Sequence, residues 1–261
     1  MRAVREAFLF SLFTLSIVPT GCSKPEEPAV VHRALGNDCA RKADWAGAAR
    51  EYGLSLQANP NDRKVWELKA NAHLRLGQVR EAAESLAKPA EYTSDPAAKA
   101  EAYRLVAGLY VENKDFVEAE KAFAQAVGFD QRDELSLSWL GEIASARGGA
   151  RSMSDPPDMV WLAKAINYYD KVISLNPNNL FAYVNKRIAI TKSIAFEQQE
   201  MALAEKLVQL ERKDATKAAA AQARLNESHA RVGGYEKEIA ELSKKITELL
   251  AAEKAKKHST S

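Results

Sequence analysis

His32–Pro60 reads HRALGNDCARKADWAGAAREYGLSLQANP. His32, Leu35, Gly36 and Cys39 fall at i, i+3, i+4 and i+7, which predicts one face of a short helix. Ala48, Tyr52, Ser55 and Leu56 form the matching stripe of a second helix, and Asn59-Pro60 ends it. Small residues at Gly36, Ala48 and Ser55 allow close backbone approach, while Tyr52 supplies bulk. A hairpin of this size cannot bury its apolar face alone, so it must be stacked on others.

The same pattern returns along the chain. Gly36 is matched by Ala70 and Ala48 by Ala82, each 34 residues on, and Ala107 is matched by Gly141 at the same step. The third copy has Tyr103, Val106, Ala107 and Tyr110 in its first helix and Phe116, Ala119, Phe123 and Ala126 in its second. A fourth copy opens with Leu137, Leu140 and Ala144, and closes with Ala165, Tyr169, Val172 and Pro177. This period and these slots resemble the tetratricopeptide repeat over roughly residues 29–190. The resemblance implies an all-α, right-handed solenoid of helix-turn-helix repeats. The expected units are 29–62, 63–99, 100–133 and 134–179, with a half-repeat at 180–195.

The second copy keeps Trp66 but has Lys69-Ala70 and His73 elsewhere in the pattern, and Pro89 shortens its second helix. The stretch AEYTSDP then lengthens the connector, displacing the third copy by three residues. In the fourth copy an insertion, loop 148–160, carries GGARSMSDPPDMVW. Such a loop can serve a binding surface or be a tolerated insertion. Beyond residue 196 the pattern lengthens. Leu203, Leu207, Leu210, Asp214, Ala218, Ala221 and Leu225 step by threes and fours; Tyr235, Ile239, Leu242, Ile246 and Leu249 make a cleaner heptad seam. Gly233-Gly234 stands between them, so a coiled-coil hairpin over 197–258 is expected to turn at 233–234. One seam serving a homo-oligomer is the alternative.

The first 21 residues predict a signal peptide, with Arg2 and Arg5 before an apolar core at Ala7–Val18. The ending Gly21-Cys22 resembles a bacterial lipoprotein signal, although Pro19 stands where that motif prefers an aliphatic residue. The resemblance implies lipid attachment, such as palmitate, at Cys22, with 22–28 as a tether and the outer membrane as the address. Ordinary secretion with Cys22 free is the other reading. The only further cysteine, Cys39, sits in a core slot and reads as a small buried hydrophobe.

The 261 residues carry a formal net charge of +2, which gives no reason to expect nucleic acid as a partner. No phosphate loop, metalloprotease signature or nucleophile elbow occurs, and His32, His73, His229 and His258 lie on separate elements. Neither enzyme activity, cofactor nor metal is expected. The remaining candidate is the concave face built by the first helix of each repeat. Arg33, Asn37, Asn71 and Arg104 are expected to point into it, with Arg41, Lys64 and Arg75 near the same surface. The Arg33/Asn37 pair resembles the start of the carboxylate clamp of chaperone-binding relatives, but Leu68, Glu101 and Leu105 break the rest. The expectation is a moderately basic, amide-bearing groove for an acidic segment or chain end of another envelope protein, with a solvated face of ordinary helix charges as the other reading. By architecture the chain is similar to repeat-containing outer-membrane lipoproteins that act as pilotins or as subunits of membrane-protein insertion machinery. A spacer protein and a regulator of a cell-wall enzyme are the alternative functions.

Overall fold

The computed structural model describes residues 27–149 and 157–259. The expected signal peptide, Cys22 and most of the expected tether lie outside them, as does the centre of the expected 148–160 insertion. Ten α-helices follow one another, with no strand among the described residues: α1 Pro28–Arg41, α2 Trp45–Ala58, α3 Arg63–Arg75, α4 Val79–Ala87, α5 Pro96–Glu112, α6 Phe116–Phe129, α7 Glu134–Gly148, α8 Met159–Leu175, α9 Leu180–Leu210 and α10 Ala215–Ser259.

Local chemistry sets most of these boundaries. Asp44, Asp62, Asp95, Asp115, Asp133, Asp158 and Asn179 each accept a backbone N–H in the first turn of the helix that follows. Such a cap contributes about 1 kcal/mol. The tight turns inside the first three hairpins each need a left-handed residue: Ala43 at φ 59°, Gly77 at 73° and Lys114 at 60°. Ala43 and Gly77 stand one period apart, and Lys114 follows with the three extra residues of the longer connector. That connector is held by Tyr92, whose ring stacks on Trp66 with centroids 6.5 Å apart. Pro89 ends α4 early, and the chain continues as a short 3-10 turn, Lys88–Glu91.

Helices pack with their sequence neighbours, α1 on α2 through α9 on α10, and α7 also touches α9. The first helix of each pair lies beside the first helix of the next, as in a one-dimensional stack. The buried residues form a near-continuous core: Ala48, Tyr52, Leu56 and Val65 at one end, Val106, Ala107, Ala119 and Phe123 in the middle, and Leu137, Ala165, Tyr169 and Val172 beyond. Bulk is balanced within each pair. Where the second helix supplies Tyr52 or Tyr169, the first helix has Gly36 or Gly141. A Cβ at Gly36 would lie 2.5 Å from the Tyr52 ring, and at Gly141 2.7 Å from the Tyr169 ring. Where it supplies Leu86 or Phe123 the partner slot holds Ala70 or Ala107.

The C-terminal region departs from the expected layout in three respects. Residues 180–195 and the first arm of the hairpin are a single helix, α9, whose 31 residues run roughly 45 Å. Gly233-Gly234 forms no turn: α10 passes through it as a continuous 45-residue helix. The reversal occurs at 211–214 instead, where Asp214 accepts the backbone N–H groups of Thr216 and Lys217 and so starts α10. Two glycines in a helix cost about 1 kcal/mol each relative to alanine, but both flanks of the pair are fixed on α9. Arg231 donates to Glu197 at 2.6 and 2.9 Å before them, and Lys186 reaches Glu238 at 2.6 Å after them. A turn at the glycines would break both contacts.

The third departure follows from the second. With the turn moved, Leu203 and Leu210 face solvent, while Glu197, Ala204, Ala221 and Ser228 are buried between the arms. Nearer the solenoid Leu242, Ile246 and Leu249 of α10 are buried. The base of α9 and the second half of α10 thus occupy the place of a fifth pair, and the stretch between them projects as an arm. Lys186 locks this pair to the fourth, bridging Asp170 of α8 and Glu238 of α10 at 2.5 and 2.6 Å. Burial pulls the Lys186 ammonium down, but the hydrogen bonds to Asp170 and Glu238 outweigh it and hold it above its ordinary value. Among the described residues no helix is long and apolar enough to cross a membrane.

Candidate functional site

The concave face is lined by the first helices, α1, α3, α5, α7 and α9. Its N-terminal half carries the expected basic residues, but their charge is already spent internally. Arg33 donates to Asp62 at 3.3 Å, and Arg104 to Asp133 at 3.2 Å. These two pairs are equivalent: each arginine reaches the capping aspartate of the next first helix, 29 residues on. Between them Arg63 makes a bidentate pair with Glu101, both bonds 2.8 Å, and also reaches Glu67 at 3.3 Å. Lys64 is paired with Glu67 and Arg41 with Asp38. Arg75 lies over the Trp45 ring at 5.4 Å. The Asn37 Oδ1 accepts the Tyr52 hydroxyl at 2.9 Å, which leaves Asn71 as the exposed amide without such a partner among the described residues. Arg33, Arg63 and Arg104 thus stitch successive repeats together, Arg41 and Lys64 pair within their own helices and Arg75 lies on a ring, so the groove offers fewer free cations than its sequence suggests.

Hydrogen bonding from Arg63 holds the Glu101 carboxyl below its ordinary value. The stability this pair contributes is present above about pH 4.5 and is lost as pH falls through the lower folded value. Both partners are well exposed, so its size is below about 1 kcal/mol. Urea unfolding midpoints are expected to fall between pH 5 and pH 3, and less steeply in Glu101→Gln than in the wild type. Identical slopes would remove the pair from the account.

The C-terminal half differs in chemistry. Glu134, Leu135, Ser138, Trp139 and Glu142 of α7, with Asn179 and Phe181 at the start of α9, line a slot of roughly 430 Å³. Leu135 is 52% exposed and Phe181 47%. Trp139 is held from behind by Phe123, their rings stacked 5.7 Å apart. Glu134 accepts from the side-chain amides of Asn176 and Asn179, which are neutral donors. Glu142 is exposed and makes no hydrogen bond or ion pair among the described residues. On the far side of the Trp139–Glu142 ridge lies a second depression of roughly 440 Å³, with Phe116, Val117 and Ala146.

Leu135 and Phe181 were legible in principle. They precede Leu137 and Tyr183 by two residues, as Lys64 precedes Trp66. No group of His, Cys, Asp and Glu among the described residues is arranged to hold a metal ion. The Nδ1 of His32 is hydrogen-bonded with Glu51 at 2.9 Å and that of His73 with Gln78 at 2.8 Å; Cys39 is a half-buried free thiol.

Stacked hairpins of period 34 with paired small and aromatic slots have a counterpart among known proteins. The tetratricopeptide-repeat family profile matches residues 161–179, spanning most of α8 and the turn after it. A tetratricopeptide-repeat protein from Bacteroides fragilis superimposes with a TM-score of 0.54 at 15% identity, covering 87% of this chain and 98% of that one. The fold is a tetratricopeptide-repeat solenoid. MamA, at 20% identity, gives a TM-score of 0.44 over 85% of this chain and 95% of its own. YrrB, described as having an unusual peptide-binding site, gives 0.41 at 12% identity over 80% and 92%. Comparison with curated proteins finds no match.

Proposed function

We propose that this protein is a protein-binding scaffold held at the periplasmic side of a bacterial envelope, where it assists assembly or localisation of another envelope complex. The observation that carries the reading is the concave slot between α7 and α9. Leu135 and Phe181, two large apolar side chains, stand half-exposed on neighbouring first helices. Soluble surfaces seldom leave such side chains adjacent on a rigid concave support without a partner. Recognition here needs no catalytic group, in keeping with the scattered histidines. The anchor rests on the Gly21-Cys22 ending and the apolar run before it. A chain acylated on Cys22 places its first repeat within a few residues of the membrane, and more than one acyl chain would make that attachment stable.

The test combines two variants in cells that make the full-length protein. A photoreactive phenylalanine analogue in place of Phe181 should cross-link to one recurrent envelope protein, while the same analogue at exposed Leu210 on the arm should not. Cross-linking at 181 to nothing, or to every abundant protein alike, overturns the scaffold reading; cross-linking to a second copy of this chain assigns the face to self-association. A fatty-acid analogue should label the wild type, and label persisting in Cys22→Ala would refute the anchor.

A further inference from the structure

The slot between α7 and α9 differs in charge from the N-terminal half of the concave face, where arginines and carboxylates are paired. Its only charged lining residues are Glu134 and Glu142. Neither has a cation within ion-pairing distance among the described residues, whereas Arg33, Arg63 and Arg104 in the N-terminal half of the groove each have a carboxylate. The lysines on the first half of α9 are engaged elsewhere: Lys186 pairs with Asp170 and Glu238, and Lys192 Nζ donates to the Ser145 carbonyl at 2.8 Å and to the Ser145 hydroxyl at 3.1 Å. Helix N-termini ordinarily favour anions, but here the position is filled. Glu134 already takes the Asn176 and Asn179 amides, and Asn179 Oδ1 already accepts the Ala182 N–H.

We infer that the slot takes a segment of a partner protein that presents a large apolar side chain next to a lysine or arginine. This rests on the scaffold reading and names the chemistry of its partner. The apolar side chain fills the space among Leu135, Trp139 and Phe181, where the ring of Trp139 is fixed by Phe123. The adjacent cation meets Glu142, the lining carboxylate that no other side chain engages among the described residues. An acidic segment meets the reverse: two lining carboxylates and, further along the groove, arginines that would have to leave their partners. Electrostatic complementarity of this kind sets which partner is accepted more than it sets total affinity.

The probes are two synthetic peptides, one alternating Leu and Phe with Lys and the other identical but with Glu at every Lys. Binding to the full-length protein is measured by titration calorimetry in low salt. The Lys peptide should bind about ten-fold more tightly than the Glu peptide. Glu142→Lys, a change at an exposed side chain that holds nothing else in place, should weaken the Lys peptide about five-fold and tighten the Glu peptide. Phe181→Ser should weaken both. A Glu peptide that binds as well as the Lys peptide, a Lys peptide indifferent to Glu142→Lys, or no binding of either overturns the inference. These failures are separable from failure of the scaffold reading. A specific cross-linked protein from position 181 leaves that reading standing, whatever the charge of the peptide preferred.

Discussion

Tyr169→Ala is expected to lower the stability of the repeat unit by about 3–5 kcal/mol, the range for removing a large ring from a packed core. Tyr169 is 1% exposed and its ring lies against Gly141 in the fourth hairpin. In a chain of this size the loss corresponds to a drop of about 10 °C in Tm. The more decisive result is the coupling to Gly141. In the wild-type background Gly141→Ala places a Cβ 2.7 Å from the Tyr169 ring and should destabilise, despite the helical preference for alanine. In the Tyr169→Ala background the clash is gone, so the same change should stabilise by up to about 1 kcal/mol. A double-mutant cycle by urea unfolding reads this sign reversal. Equal effects of Gly141→Ala in both backgrounds would falsify the view that the tyrosine is the reason for the glycine.

The second large effect belongs to the arm. Glu197 is 2% exposed and takes two bonds from Arg231, whose guanidinium also donates to Ser228 at 3.0 Å. Arg231→Ala leaves a buried carboxylate without its partner. Losing one member of a buried pair costs about 3–5 kcal/mol, and the half-exposed guanidinium lets water recover part of it, so about 2 kcal/mol is expected here. Hydrogen exchange over residues 195–235 should rise about 30-fold, with the first four hairpins unchanged, because stability in such stacks is shared mainly between neighbours. Replacing both Glu197 and Arg231 by Leu should restore protection, since two apolar side chains leave no stranded charge. An Arg231→Ala protein whose arm stays protected would remove the pair from its place as the clasp of α9 and α10.

What could be read from the residues alone was periodic. The 34-residue step from Gly36 to Ala70 and from Ala107 to Gly141 and the heptad of Tyr235 to Leu249 reflect one physical constraint. Each helix must bury the same face against its neighbours in sequence, so the demand repeats in the chain as composition does. Caps and turn residues belong with these, because an aspartate and the three N–H groups after it are close in sequence.

The charge of the groove and the position of the hairpin turn were settled only by tertiary structure. Arg33 finds Asp62 and Arg104 finds Asp133 across 29 residues, and Arg63 finds Glu101 across 38. Helix periodicity points these arginines inward but does not say which carboxylates arrive beside them. Likewise Gly233-Gly234 has the local character of a break, and α10 crosses it because Arg231 and Glu238 on its two sides are both held by α9. Local preference at two glycines amounts to about 2 kcal/mol; the paired contacts that span them outweigh it, and those contacts exist only once the two long helices lie side by side.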